Sequence, residues 1–282
     1  MKTRPLRFAA LAAFVIVPLA HAEGDSPWLP VPGESTLSLS YAIQKGDSAY
    51  IGTTDLPISA ITGGATSEYE RTTTQLRFGY GISDALAFDA TIGYGDVDAG
   101  ADSENGLTDT LLGLSYRVLD EYERPGLPTV TLRGAAIIAG DYDGARLAAL
   151  GKDENGIEYA VLAGKQLTTA WSAWAGLGGL SYSGDVPSAW YYDLGTRVRL
   201  GQGFSASLGY SDKRYDSDLD IGGSGFTPAR FQEVREERNL VKLGFGYGFG
   251  NQGIALNLAR IVDGRNTVRD DQIVGLSYSL GF

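Results

Sequence analysis

The chain has 282 residues, a formal net charge of −11, 39 glycines, 16 tyrosines and no cysteine. Proteins that bind nucleic acid carry basic patches, so this acidic balance argues against nucleic acid as a partner. The absence of cysteine excludes a lipoprotein signal, and the glycine- and tyrosine-rich composition favours β-structure with many turns.

The first 22 residues have the features of a secretory signal peptide. Three positive charges precede an apolar stretch, residues 8–19, which is too short to span a membrane, and an A-x-A cleavage pattern follows at residues 20–22. The alternative is a short buried helix or a membrane anchor. We predict export through the Sec pathway and a mature chain, residues 23–282, that forms a single domain. Loss of the signal removes three positive charges and no negative ones, so the net charge becomes −14.

Twelve segments after the signal alternate apolar side chains with small or polar ones at a period of two. This is the pattern of β-strands that have one apolar face. In the last segment, apolar side chains occupy every second position from Val274 to the C-terminal Phe282. The sixth and seventh segments, about residues 157–167 and 171–183, leave their facing open, because two interleaved sets of apolar residues compete there.

The connections between the predicted strands alternate between tight turns and longer polar loops. The longer loops span about residues 46–68, 95–106, 140–156, 213–236 and 263–270. Short turns at one end and long loops at the other are typical of outer-membrane barrels. We therefore predict an all-β fold: a transmembrane, antiparallel, up-and-down β-barrel of about twelve strands, of the Gram-negative outer-membrane type. The alternative is a soluble all-β sandwich or barrel, which would also alternate.

The C-terminal strand resembles the signal that the barrel-assembly machinery reads in outer-membrane barrels. Tyr278, Leu280 and Phe282 are the residues of this predicted assembly signal. We accordingly expect the barrel-assembly machinery, periplasmic chaperones, outer-membrane lipid and lipopolysaccharide as partners, and we favour a monomer.

Charged side chains on these strands occupy the face opposite to the apolar one. An Arg or Lys side chain that faced lipid at mid-depth would destabilise the barrel by about 2–4 kcal/mol. We therefore assign these charged side chains, Arg71 among them, to the lumen. The candidate lumen-lining residues are Arg77, Asp89, Asp109, Arg117, Arg133, Asp193, Arg197, Arg199 and Lys242. Asp109 and Glu158 are expected near the outer mouth, and the five arginines of the list in the periplasmic half. This predicts a lumen that is acidic at the outer mouth and lined with arginine below. The alternative is an Arg–Asp network that simply fills the barrel.

The mature chain lacks the usual groups of enzymatic and metal chemistry. Its only histidine, His21, lies in the predicted signal, so serine or water activation by imidazole and zinc sites of His or Cys are excluded. Residues 248–253 match G-x-G-x-x-G, but a strand follows instead of a helix, which indicates a glycine turn. Asp216, Asp218 and Asp220 alternate without the closing Glu of an EF-hand, which favours a solvated acidic loop. We expect no enzymatic activity and no cofactor; the alternative is an enzyme that works through carboxylates alone.

Residues 105–117, which read NGLTDTLLGLSYR, together with residues 139–144 and 156–158, resemble the outer-membrane barrel family named for the MetA pathway of phenol degradation. The chain is also distantly similar to FadL-type hydrocarbon channels, although about a dozen residues before the first strand leave no room for an N-terminal plug like theirs. The resemblance implies passive uptake of small solutes, aromatic or hydrophobic compounds among them. The alternative is a sealed barrel with a structural or surface-binding role carried by its acidic loops.

Overall fold

The computed structural model describes residues 26–100, 102–144 and 149–282, so the predicted signal peptide lies outside the described residues. The elements are, in chain order, β1 (Ser35–Gly46), β2 (Ser48–Ile51), β3 (Thr54–Pro57), α1 (Ile58–Ile61), β4 (Tyr69–Ser83), β5 (Leu86–Ala99), β6 (Asp102–Leu107), β7 (Thr110–Leu119), β8 (Thr129–Ile138), β9 (Gly156–Gln166), β10 (Trp171–Tyr182), β11 (Ala189–Gly201), β12 (Phe204–Tyr215), a 3₁₀ helix (Pro228–Glu233), β13 (Glu237–Phe249), β14 (Gln252–Arg265), β15 (Val268–Arg269) and β16 (Gln272–Gly281). No helix among the described residues is long and apolar enough to cross a membrane.

Twelve long antiparallel strands close into a barrel, which confirms the predicted fold class. Each barrel strand pairs with the next along the chain, and β1 pairs with both β4 and β16, so the sheet has no free edge. The connections at one end, which we call the short-turn end, include residues 84–85, 202–203 and 250–251. The opposite end, which we call the loop end, carries β2, β3, α1, β6, β15 and the longer connections.

An apolar belt surrounds the barrel. Every barrel strand contributes at least one large apolar side chain that is exposed, and these include Leu39, Leu76, Ile92, Leu114, Leu132, Val161, Leu177, Leu194, Leu208, Leu243, Leu256 and Leu276. Soluble proteins rarely expose apolar patches of more than a few hundred Å². A belt that runs around all twelve strands requires hydrocarbon outside it, as in the barrels of outer membranes.

The structure decides the facing of β9 and β10, which the sequence left open. Ile157, Tyr159 and Val161 are exposed on the outside, whereas Ala160 and Leu162 are buried on the inside. In β10, Leu177 is likewise exposed. The inner face of these two strands is therefore also apolar, which explains why the alternation in the sequence is ambiguous.

The prediction of a loop over residues 95–106 was wrong. β5 continues to Ala99, and β6 returns beside it, with Val97 opposite Glu104. Since β7 pairs with β5 only over Leu86–Thr91, this hairpin projects beyond the barrel at the loop end. Its outward residues need not be apolar once the strands have left the hydrocarbon, so the signal of alternating hydrophobicity disappears there.

The loop end is covered by a packed cap. The predicted loop 46–68 contains β2, β3 and α1, and β2 pairs with β15. Beneath it lies a hydrophobic core formed by Ala49, Ile58, Tyr69, Val97, Ala99, Tyr142 and Leu150. Residues from β2, α1, β4, β5 and the loop after β8 therefore share one core.

Asn266 holds three cap segments together. Its Oδ1 accepts hydrogen bonds from the backbone N–H groups of Gly52, at 2.7 Å, and Ile221, at 3.2 Å. Its Nδ2 donates to Asp220 Oδ1 and to the carbonyl oxygen of Arg235, both at 2.7 Å. The backbone of Asn266 is in the left-handed region, with φ of 49°, which Asn tolerates better than most residues.

We expect Asn266→Gly to loosen the cap without unfolding the barrel. Glycine accepts the positive φ, so the substitution removes four hydrogen bonds, each worth about 0.5–1.5 kcal/mol, without adding backbone strain. Limited proteolysis should cut the loop after β12 faster, while the heat-dependent gel shift of the folded barrel is retained. Asn105→Ala, which removes one exposed bond from Tyr94 at the same end, is the control. Equal cleavage of the two variants would contradict the assigned role.

Candidate functional site

The inner face of the barrel carries a charged wall on β4 to β9. Arg133 donates two hydrogen bonds to Asp89, from Nη1 to Oδ1 at 2.5 Å and from Nη2 to Oδ2 at 3.1 Å. Arg77 Nη2 lies 3.6 Å from Asp89 Oδ2, and Arg133 Nε lies 3.9 Å from Glu158 Oε1. The four side chains thus form an alternating array of charges across five neighbouring strands, β4, β5, β7, β8 and β9. Arrays of this kind compensate the desolvation of their buried charges with charge-assisted hydrogen bonds.

Gly113 makes the charged wall possible. It lies on β7 between Asp89 on β5 and Ala135 on β8. A Cβ atom at this position would overlap Arg133 Nη1 and lie 2.6 Å from Asp89 Oδ1. The pair can therefore reach across β7 only because this strand has no side chain there.

An apolar wall covers the inner face of β8 to β12. Its buried residues are Ile137, Ala160, Leu162, Leu180, Val186, Ala189, Tyr191 and Tyr215. The hydroxyl of Tyr191 donates to Glu158 Oε1 at 2.6 Å, which joins this wall to the charged one. A Cβ atom on Gly178 would overlap the ring of Tyr191, so glycine again provides the room. The interiors of large outer-membrane barrels are polar, and this one is polar on one side and apolar on the other.

The remaining predicted residues are distributed along the barrel. Asp193 on β11 accepts from Lys242 on β13 at 3.4 Å, across β12. Asp109, near the loop end, accepts from the hydroxyl of Tyr142 and from the N–H of Gly140, the latter at 3.2 Å.

At the short-turn end, Arg197 lies over the ring of Trp174, with its guanidinium carbon 6.0 Å from the ring centroid. Arg199 is exposed two residues further along the same strand. Arg117 lies 3.2 Å from Asp120 and donates to the carbonyl oxygen of Asp84. The nine predicted residues thus form separate groups. Arg77, Asp89 and Arg133 meet in one of them, and Asp193 and Lys242 meet in another.

The N-terminal segment, residues 26–34, enters the short-turn end of the barrel. The carbonyl oxygen of Pro27, which is fully buried, accepts from Thr131 Oγ1 at 2.7 Å. Trp28 Nε1 donates to Glu121 Oε1 at 2.8 Å. A Cβ atom on Gly164 would lie 2.5 Å from Pro27 Cγ, so this inner glycine accommodates the segment.

The same segment crosses the barrel opening. Pro27 lies beside β8 and β9, whereas the N–H of Gly33 donates to the carbonyl oxygen of Gly81 on β4, at 2.8 Å. The sequence predicted no room for an N-terminal plug. The segment is too short to fold as a plug domain, but it is long enough to obstruct this end of the lumen.

A cavity, which we call the outer chamber, lies at the loop end. Its lining includes the aromatic residues Tyr50, Tyr69, Tyr215 and Phe231, the cations Arg71, Lys152, Lys213 and Arg238, and the acids Glu236 and Asp270. The sequence predicted an acidic outer mouth, but among these residues the cations outnumber the acids. Lys213 was assigned to the predicted loop 213–236, and Arg238 follows that loop and was not named as a lumen residue. Lys213 nevertheless continues the inward parity of Ser207 and Ser211 on β12.

The two acids of the outer chamber have opposite electrostatic environments. Burial alone would raise the pKa of Glu236, but the positive charges of Lys152 and Arg238 outweigh it and hold the pKa well below its usual range. Burial raises the pKa of Asp270 to about 6, against the opposing attraction of Arg238 and Arg71. Glu236 is thus a stable partner for cations, whereas Asp270 is a costly charge at neutral pH.

Comparison with known proteins supports the fold. A family model described as "Putative MetA-pathway of phenol degradation" matches residues 38–277. No curated protein sequence matches the chain. Among solved structures, the chain is similar to the COG4313 outer membrane channel from Pseudomonas putida F1, with a TM-score of 0.74 and 18% identity, over 93% of this chain and 100% of that chain.

More distant structures share the architecture. The NanC porin matches with a TM-score of 0.50 and 8% identity, over 87% of this chain and 98% of that chain. A FadL homologue from Pseudomonas aeruginosa matches with a TM-score of 0.45 and 11% identity, over 88% of this chain and 90% of that chain. At these identities the structures share a fold with the chain, and the FadL likeness carries no further argument.

We predict that Gly113→Ala destabilises the barrel by about 1–3 kcal/mol, the usual cost of overpacking a well-filled interior. The new methyl group must displace the Arg133–Asp89 pair. Urea-induced unfolding in lipid vesicles, followed by tryptophan fluorescence, measures the effect. Gly209→Ala is the control, because its Cβ would meet Leu194 O at 3.5 Å and Lys242 Cβ at 3.6 Å, both ordinary contacts. Equal unfolding midpoints for the two variants would show that the charged wall does not depend on Gly113.

We predict that Asp270→Asn stabilises the protein at pH 7.5 but not at pH 4. The folded-state pKa of Asp270, about 6, lies above the unfolded value near 4, so the folded state binds the proton more tightly. Stability from this group is therefore complete at low pH and is lost as the pH rises through about 6. The expected gain of the variant at pH 7.5 is about 2–3 kcal/mol. A gain that is the same at both pH values would exclude Asp270 as its source.

Proposed function

Because the chain belongs to the family described as "Putative MetA-pathway of phenol degradation", we propose that it is an outer-membrane channel for the passive uptake of small solutes. In this orientation the short-turn end is periplasmic and the loop end is extracellular. The two solved structures of matching fold are named an outer membrane channel and a porin, which supports the general class.

The observation that carries the proposal is the apolar wall inside the barrel. Tyr215 lines the outer chamber and also belongs to the apolar wall, so the two adjoin. The wall continues toward the middle of the barrel through Tyr191 and Leu162. The residues of this wall are at most 6% exposed, so a solute would first have to displace the groups that cover them. Contact would then favour apolar parts of the solute by about 25 cal/mol for each Å² removed from water. This favours hydrophobic or aromatic solutes over sugars and simple ions.

The competing function is that of a sealed barrel with a structural or surface-binding role. The charged wall and the N-terminal segment favour it, because both occupy space inside the barrel. The two functions differ in the continuity of the lumen. A channel needs a path that opens when the N-terminal segment moves aside, whereas a sealed barrel does not conduct.

Single-channel conductance of the refolded mature protein in a planar bilayer tests the proposal. We expect steady, ion-selective current steps. The combined variant Arg197→Glu and Arg199→Glu should shift the selectivity toward cations, because it reverses two charges at the periplasmic end of the lumen. Arg260→Glu is the control, since Arg260 lies on the outside of the barrel and pairs with Asp271 at 2.8 Å.

One result would contradict the channel, and another would contradict the role of the two arginines. Absence of current from a correctly folded barrel would favour the sealed alternative. Unchanged selectivity in the double variant, with normal conductance, would reject the two arginines as a constriction.

A further inference from the structure

Two cations of the outer chamber, Arg71 and Lys213, form no direct ion pair with a described carboxylate. Arg71 is only 7% exposed, and its Nη2 donates to the carbonyl oxygen of Leu150 at 2.8 Å, but its Nε has no hydrogen-bond partner among the described residues. Lys213 forms no ion pair with a described carboxylate; its Nζ lies 5.1 Å from the centroid of the Tyr215 ring. A buried donor without a partner is costly, so such a group indicates a missing ligand.

The other two cations of the chamber share one acidic partner, Glu236. Glu236 accepts from Lys152 Nζ at 3.0 Å and from Arg238 Nη2 at 3.3 Å. The second acid, Asp270, is 3% exposed, and its Oδ1 has no hydrogen-bond partner among the described residues. Arg71 and Lys213 are therefore the positive charges that remain available for an incoming anion.

Aromatic rings surround these charges. Lys152 Nζ lies 4.3 Å from the centroid of Tyr215, so two lysines approach this ring. Tyr69 is buried and adjoins Arg71, and Phe231 lines the same cavity. Rings pack favourably against other rings in offset or edge-to-face arrangements. The chamber thus offers both an aromatic surface and surplus positive charge.

We propose that the outer chamber binds small aromatic carboxylates, with the carboxylate between Arg71 and Lys213 and the ring against Tyr69 and Tyr215. A neutral apolar solute would leave the Arg71 donor unsatisfied, and a small inorganic anion would make no ring contact with Tyr69 or Tyr215. The assignment of these compounds as solutes rests on the proposed channel function, whereas their binding to the chamber does not.

Titration of benzoate into the full mature protein in detergent, by calorimetry, tests the proposal. Benzoate should bind in preference to benzyl alcohol, which lacks the charge, and to acetate, which lacks the ring. Lys213→Gln should weaken benzoate binding at least tenfold, which corresponds to about 1.4 kcal/mol. Lys45→Gln is the control and should leave it unchanged, because Lys45 is a half-exposed rim residue outside the chamber that pairs with Glu70 at 2.6 Å.

A second variant makes the test independent of folding losses. Asp270→Asn removes a negative charge from the chamber but keeps the side-chain shape, so it should tighten benzoate binding at pH 7.5. A merely damaged barrel does not bind its ligand more tightly. Opposite effects of the two variants support the proposal, whereas unchanged or weaker binding by Asp270→Asn overturns it.

The remaining outcomes each support or reject one part of the proposal. Equal binding of acetate would overturn the aromatic part, and equal binding of benzyl alcohol would overturn the role of the charges. Benzoate binding without conductance would retain the site and reject the channel. Conductance without benzoate binding would retain the channel and reject the site.

Discussion

The seam between β1 and β16 is the contact on which the rest of the structure depends. Unpaired backbone groups cost several kcal/mol each in hydrocarbon, so a sheet can span a membrane only if its two edges meet. Here Leu37 lies opposite Leu280 and Leu39 opposite Tyr278, and the N–H of Ser35 donates to the carbonyl oxygen of Phe282 at 2.8 Å. The strand that carries the predicted assembly signal is thus the strand that closes the barrel. Closure then separates an outer face, which lipid keeps apolar, from an inner face that is free to carry charge.

The inner face is shaped by glycine as much as by its side chains. Long side chains on a narrow barrel cannot all point to the axis, and several of them lie across a neighbouring strand instead. Arg133 and Asp89 meet above Gly113, Tyr191 lies above Gly178, and the indole of Trp174 lies above Gly195. The high glycine content of the chain therefore has a packing role as well as a role in turns. These glycines allow the inner side chains to lie along the barrel as a charged wall and an apolar wall.

The strands and their outer faces are predictable from the sequence because the period of two is a local property. Every second side chain of a strand faces lipid and is therefore apolar. The cap is not predictable in this way, because its contacts join distant segments, such as Ala49 on β2 with Val268 on β15. Lys213 was not predicted as a lumen-lining residue for a related reason. Its neighbours Asp212 and Arg214 pair with each other, at 2.8 Å, so the outward positions there are polar and the strand looks like a loop. The inner apolar wall was hidden because it makes β9 apolar on both faces.

The charge of the chain is segregated in a way that bears on which solutes could enter. The predicted mature chain has a net charge of −14, yet the described lining of the outer chamber has more cations than acids. At physiological ionic strength the field of a charge is screened over about 8 Å, so the chamber cations act only on a solute that has reached the mouth. Selection by charge on this view is a contact effect and not long-range steering. The step after the chamber is then the less favourable one for an anion, because the inner face next carries Glu158. This acid accepts a hydrogen bond from Tyr191 and pairs with Arg133. On the proposed function and site, a carboxylate that leaves Arg71 would pass this acid while its ring keeps to the apolar wall. Release from the chamber, rather than entry into it, would then be the step at which charge opposes passage.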